Sequence, residues 1–399
     1  MSTKWFVRPW LTRSVLTIGL VSFLNDAASD MIAPLLPLFL TATLGAGPAI
    51  IGLIEGVAES TASLLKLLSG WIADRGFDKK RLVLGGYSCS NLARPLMAFA
   101  TSWGAVLFLR FVDRVGKGLR SAPRDAMLSA AVTQAERGRA FGFHRMMDHS
   151  GAMLGPLIAF ALLNWAHASV VDVFLYSAIP GVLVVLLIIF GLPRDAGNPL
   201  PIDVRPPLVA NWRGLDHRIR SLVIAAGILA LAAMPDAFLV LWAQAGGVAV
   251  VWIPLLWAAA HFARALVSLP AGWLSDHYGR VPVVAVGWSV RVLCLLLLCT
   301  SPASITITAM LFILYAMSTA ITEGAERALI GDHVASDQRG TAFGFYHFLT
   351  GLLVLPGAIL FGWLWQQFSS GVAFFVAAVV TAVGAIIFMR RVKYVAKAA

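Results

Sequence analysis

Apolar residues fill this chain in long runs, and short polar stretches separate them. Twelve of the runs reach the roughly 20 residues that a helix needs to cross a bilayer: residues 14–41, 49–73, 82–101, 105–131, 141–164, 171–191, 221–244, 249–275, 281–300, 305–330, 343–365 and 371–389. The first run continues through Pro34 to Phe39 and no small-residue cleavage site closes it, so it reads as a retained span rather than a signal peptide.

Composition agrees with the pattern. The 399 residues are 59% hydrophobic and only 13% charged, about half the charge of an ordinary soluble domain. There is too little charge to coat soluble domains. A soluble enzyme, a nucleic-acid-binding module and a disordered chain are therefore disfavoured. The predicted class is an all-α membrane protein of twelve spanning helices.

The formal charge of +11 resolves into topology once its charges are located. One set of loops and both tails hold twenty Lys and Arg residues: Lys4, Arg8 and Arg13, then Arg75 to Arg81, Arg137 and Arg139, five between 194 and 220, Arg280, Arg339, and four from Arg390 onward. The opposite loops, near 43–48, 102–104, 165–170, 245–248, 301–304 and 366–370, hold none. The positive-inside rule places both termini in the cytoplasm of a multi-pass protein of the inner membrane. Nucleic acid is not an expected partner.

The chain also repeats itself at an offset of 202 residues. Gly70-Trp71-Ile72-Ala73-Asp74 falls on Gly272-Trp273-Leu274-Ser275-Asp276, and Arg137-Gly138-Arg139-Ala140-Phe141-Gly142-Phe143 on Arg339-Gly340-Thr341-Ala342-Phe343-Gly344-Phe345. The predicted organisation is two pseudo-symmetric six-helix bundles, 1–192 and 221–399, joined by a polar, Pro-rich cytoplasmic linker at 193–220. Parallel halves of this kind build one large class of secondary transporter, with the substrate site at the midplane.

Gly70-x-x-x-Asp74-Arg75 with Lys79-Lys80 resembles the loop signature between helices 2 and 3 of the major facilitator superfamily. Gly272-x-x-x-Asp276-x-x-Gly279-Arg280 resembles its second copy. The first copy departs from the pattern at Phe77, where glycine is usual, and at Asp78, where a base is usual. The resemblance implies a cytoplasmic gating role for Asp74 and Asp276. Gly151-Ala152-Met153-Leu154-Gly155-Pro156 resembles the helix-5 motif of proton antiporters in that superfamily, with Ala159 and Phe160 in place of later glycines. A Gly-x-x-x-Gly pair is also a plain helix-contact motif.

Charges inside the spans are expensive and normally line a pathway. Eleven bases and eleven acids lie there, Asp172 among them at the edge of its span. Arg110, Asp113, Arg114, Lys117, Arg120, Arg124 and Asp125 fall on one face of the fourth span at about 100° per residue. They form either a substrate-binding ladder or an internal ion-pair network. Arg114 and Lys117, with Arg145, Arg264 and Arg291, are the candidate grips for a carboxylate or phosphate. Asp30, Glu59 and Asp148 are the candidate proton carriers, since a membrane-embedded carboxylate changes protonation when its neighbours move. The offset pairs Arg124-Asp125 with Glu326-Arg327, opposite charges in reversed order, which suits a gate.

No Walker A, Gly-x-Gly-x-x-Gly or His-Glu-x-x-His pattern occurs, and Cys89, Cys294 and Cys299 have no metal-ligand spacing, so no cofactor and no catalysis are expected. The reading is a monomeric, proton-coupled exporter of a small organic anion working by alternating access. The alternative is a multidrug efflux pump whose many Trp and Phe residues line an apolar pocket.

Overall fold

The computed structural model describes residues 11–193, 217–300, 304–332 and 339–396. Within them are fifteen α-helices and no strand. They are α1 (Arg13–Ile32), α2 (Leu36–Ala42), α3 (Pro48–Asp74), α4 (Lys79–Leu96), α5 (Trp103–Ala130), α6 (Arg137–Asn164), α7 (Val170–Tyr176), α8 (Ala178–Gly191), α9 (His217–Ala230), α10 (Asp236–Ala245), α11 (Ile253–Tyr278), α12 (Arg280–Leu298), α13 (Ile305–Asp332), α14 (Arg339–Gln367) and α15 (Ser370–Ala396). Lys4, Arg8, Lys397 and most of the 193–220 linker lie outside the described residues.

Three of the predicted spans are interrupted rather than continuous. Span 14–41 breaks into α1 and α2 around Pro34, and Pro37 sits in the first turn of α2. Span 221–244 breaks into α9 and α10 at Pro235, which precedes the first residue of α10. Proline has no N–H for the helix ladder, and its ring clashes with the preceding turn. Span 171–191 is divided at Ser177, which closes α7 and opens α8. Apolar content alone is blind to such breaks.

Nine helical stretches among the described residues are long and apolar enough to cross a membrane. The helices α4 and α5 fall outside that set. Seven charged residues lie along α5, and the C-terminal half of α4 holds Ser90, Asn91 and Arg94. Ser90, Asn91, Arg94, Arg110, Asp113 and Arg120 of these faces are buried in protein, as the bilayer requires of polar groups at its depth, whereas Lys117 is exposed.

The chain divides into two compact units. One comprises residues 1–32, 65–100 and 108–206, the other 33–64, 101–107 and 207–399. In the first unit, Val15, Ile18 and Val21 of α1 pack with Val83 and Tyr87 of α4, Leu128 of α5, Ala140 of α6, and Val184 and Ile188 of α8. In the second, Leu222, Val223, Ala226 and Leu229 of α9 pack with Val284 and Trp288 of α12 and Phe388 and Val392 of α15. Val21 and Val223 stand 202 residues apart, in corresponding cores. A second apolar cluster joins α10, α14 and α15 through Phe238, Phe361 and Phe374, with ring centroids 4.7 Å and 5.4 Å apart. Phe238 and Phe374 are fully buried, so these two rings are core.

The Gly151–Gly155 motif serves helix contact in this fold. A Cβ on Gly151 would strike the carbonyl of Phe23, and one on Gly155 that of Ala27, so α6 lies directly against the backbone of α1. Gly357, the 202-residue counterpart of Gly155, meets the Leu231 carbonyl just beyond α9 in the same way.

Candidate functional site: a buried arginine–carboxylate cluster

The first unit concentrates its buried charge where α4 and α5 cross. Their backbones touch through two glycines: a Cβ on Gly86 would meet Gly116 O at 2.6 Å and the Arg120 side chain at 2.9 Å. Small residues allow this approach. It sets the Ser90 hydroxyl 2.8 Å from the carbonyl of Asp113, to which it donates. Arg120 donates to the same Ser90 oxygen at 2.6 Å and stacks its guanidinium 4.3 Å from the centre of the Tyr87 ring.

Asp113 is the hub. Its side chain is 1% exposed, and three guanidiniums converge on it. Arg94 of α4 places Nε 3.1 Å from Oδ1. Arg110 and Arg114, one on each side in α5, lie 3.6 Å and 3.7 Å from Oδ2. Arg94 also donates through Nη1 to the backbone and side-chain oxygens of Asn25 in α1, at 3.2 and 3.1 Å, and to Asn91 Oδ1 at 3.2 Å. Asn25 in turn donates to Asp26 at 2.9 Å. Three helices thus share one polar cluster, and Arg94 has a partner in each.

A second network lies further along α5. Arg124 holds Asp125 Oδ1 through Nε at 3.1 Å and Nη2 at 2.9 Å, and reaches Ser22 Oγ of α1 through Nη1 at 3.3 Å. Ser22 Oγ lies 2.9 Å from His144 Nε2, and His144 Nδ1 lies 3.2 Å from Asp148 Oδ2, both on α6.

The other predicted residues are placed as follows. Lys117 and Arg145 are exposed. Asp30 of α1 is partly buried, whereas Glu59 of α3 is exposed and lies in the second unit. Also in the second unit, Arg264 of α11 grips both oxygens of Asp236 in α10, at 3.2 and 3.0 Å. Arg291 of α12 donates to Thr322 Oγ1 of α13 at 3.2 Å and sits 4.6 Å from the Trp288 ring centre. Asp276 pairs with Arg280 at 3.1 Å, one turn along the chain. Tyr346 donates to Glu326 at 3.3 Å. The side chains of Asp74 and Arg327 lie outside the described residues.

The two halves differ in chemistry despite their shared pattern. At the 202 offset, Arg110, Asp113, Arg114, Lys117 and Arg120 correspond to Phe312, Tyr315, Ala316, Thr319 and Thr322, so these five charges have no charged counterpart in α13. One contact is kept in altered form. Arg124 and His144 are joined through Ser22, and their counterparts Glu326 and Tyr346 are joined directly.

The sequence alone does not single out Arg94, Asn25, Ser22 or His144 as partners. The signal for Arg94 is present: Gly86, Ser90, Asn91 and Arg94 recur at helical spacing in an otherwise apolar span, a polar face needing a polar partner.

The Major Facilitator Superfamily model matches residues 18–262 and 256–398. The chain belongs to the Major Facilitator Superfamily. An uncharacterized MFS-type transporter of Methanocaldococcus jannaschii is 30% identical over 363 residues, 89% of each chain. The multidrug resistance protein MdtH of Aeromonas hydrophila is 26% identical over 148 residues, 37% of each chain. Among solved structures, a mutant of the nucleoside transporter NupG superposes with a TM-score of 0.77 at 15% identity, covering 95% of this chain and 99% of that one. The fold is therefore the all-α fold of this superfamily, and the chain is a multi-span membrane transporter with a small-molecule substrate.

Proposed function

We propose that this transporter moves a small organic anion out across the inner membrane, by alternating access and at the expense of a proton gradient. The observation that carries this reading is the convergence of Arg94, Arg110 and Arg114 on the single carboxylate of Asp113. A guanidinium fork matches a carboxylate or phosphate in shape and charge. An incoming anion competes with Asp113 for those forks. In this reading Arg114, Lys117 and Arg145, and in the second unit Arg264 and Arg291, contact substrate. Asp30, Glu59 and Asp148 carry the coupling proton. Asp74, Asp276, Arg124, Asp125, Glu326 and Arg327 hold the cytoplasmic gate. The two six-helix halves, 1–192 and 221–399, are the bodies that rock during transport, and both termini lie in the cytoplasm.

The partial similarity to MdtH favours a second reading, efflux of lipophilic drugs. One screen separates the two. Ligands that bind the folded state raise its apparent melting temperature by mass action. The detergent-purified chain is heated with citrate, succinate or glucose 6-phosphate, and in parallel with ethidium or tetraphenylphosphonium. A shift from one anion class, lost in Arg114→Ala while the variant still folds, supports the anion reading. Shifts from the lipophilic cations alone replace it with drug efflux.

A further inference from the structure

We infer that His144 and Asp148 of α6 form a proton-binding site whose occupancy decides whether α1 is tied to α5. This rests on the proposed transport reading, in which Asp148 is one carrier of the coupling proton, and adds His144 as the group that receives it there.

The geometry fixes how the site works. His144 is 3% exposed and has a partner at each ring nitrogen: Asp148 Oδ2 at Nδ1 and Ser22 Oγ at Nε2. Ser22 Oγ also accepts from Arg124 Nη1 at 3.3 Å. A hydroxyl has one hydrogen to give. An ionised Asp148 only accepts, so the neutral ring carries its hydrogen on Nδ1, facing Asp148. Nε2 is then an acceptor and takes the Ser22 hydrogen, while Arg124 donates to the Ser22 oxygen. Both ring nitrogens and the Ser22 hydroxyl are matched in that arrangement.

Proton uptake at Nε2 reverses one bond. The imidazolium then donates from both nitrogens, to Asp148 and to Ser22. The Ser22 hydrogen must turn away, and two cations now aim at one hydroxyl oxygen. Arg124 can yield, because Nε and Nη2 already hold Asp125. The tie from α5 to α1 is therefore the bond that protonation weakens. Loss of the proton restores it.

A second observation marks the same place. Asp148 Oδ1 is buried and meets no hydrogen-bond donor among the described residues. A buried carboxylate oxygen without a donor is costly. It leaves the pair room for a second proton-bearing group on the acid side.

The charges around the site come from three helices. Asp26 of α1, Arg124 of α5 and Arg145 of α6 act on Asp148 electrostatically, Arg120 acts on Asp26 and Asp125 on Arg124, and His149 lies one residue beyond Asp148. Tyr87 of α4 neighbours Arg124. The α1–α6 contact is a close backbone approach, since Gly151 and Gly155 sit on α1 carbonyls, whereas the α1–α5 tie at this site is the single Arg124–Ser22 hydrogen bond.

The test needs no substrate, so its failure is separable from failure of the anion reading. The apparent melting temperature of the full purified chain is followed from about pH 5 to about pH 8, the range in which imidazoles titrate. The expected result is a step in the wild type that is lost in His144→Gln and kept in His149→Gln. Its midpoint moves in Asp148→Asn and in Arg124→Gln. A wild-type step that persists in His144→Gln overturns the proposal. If His144→Gln does not fold, the midpoint decides: the wild-type midpoint in both Asp148→Asn and Arg124→Gln is the overturning result.

Discussion

Arg94 and Asp113 face each other across the α4–α5 crossing, Nε to Oδ1 at 3.1 Å, with side chains 5% and 1% exposed. Removing one partner of such a pair leaves a buried charge uncompensated, at a cost of about 3–5 kcal/mol. Asp113→Ala is expected to lower unfolding stability by an amount in that range. Arg94→Ala with Asp113→Ala together should cost less than the sum of the single changes, because the second truncation removes a charge the first left stranded. Denaturant titration of the four proteins in detergent measures the coupling; strict additivity would mean that the two charges are independent.

The crossing itself depends on Gly116. A Cβ there would meet Ser90 Oγ at 2.6 Å and the Ser90 nitrogen at 2.9 Å. Gly116→Val should therefore destabilise by about 1–3 kcal/mol through overpacking. It should also pull Arg94 away from Asp113. A Cβ on Gly142 of α6 would meet nothing within 4 Å, so Gly142→Ala is the control. A helical alanine there should be neutral or mildly stabilising. Equal losses from both changes would show that the close approach of α4 and α5 is not the cause.

The Asp236–Arg264 pair behaves differently, because its side chains are 33% and 25% exposed. Ion pairs with access to solvent contribute roughly 0–1 kcal/mol. Arg264→Ala should leave the melting temperature nearly unchanged. If Arg264 contacts substrate, the same change should abolish the anion-induced shift. A large loss of stability without ligand would instead assign Arg264 to the structure.

Tyr346 donates to Glu326 at 3.3 Å, the second-half counterpart of the Arg124–Ser22–His144 link. Tyr346→Phe removes one hydrogen bond to a charged acceptor, and a loss of about 1.5–3 kcal/mol is expected. No change in thermal unfolding would mean that the hydroxyl is equally well hydrated without Glu326.

The charge asymmetry of the loops makes a topological prediction. A reporter that functions only in the cytoplasm should be active when fused after Ala399 and inactive when inserted near Ala168. The reverse pattern would invert the orientation.

Much of this protein was legible in one dimension. Hydrophobic run length imposes spanning helices, because a bilayer interior offers no water to unpaired backbone groups. The 202-residue repeat follows from pairs such as Gly70 and Gly272, which need no coordinates to be matched. Helical periodicity was enough to put Arg110, Asp113 and Arg114 on one face. Partner choice was not legible. Asn25, Arg94 and Asp113 are far apart in sequence, and their meeting depends on how closely α4 approaches α5, a distance set by Gly86 and Gly116. The breaks at Pro34 and Pro235 were visible as residues but not as consequences, since a proline in a span can kink or divide it according to its packing. The same holds for His144. Its residue type announces a candidate proton carrier, but only the packing of α1 on α6 brings Ser22 to Nε2, and only the path of α5 brings Arg124 to Ser22. Composition and periodicity determine what a helix face carries; the tertiary structure decides which face it meets, because contact is made by atoms a few ångströms apart that the chain order leaves unrelated.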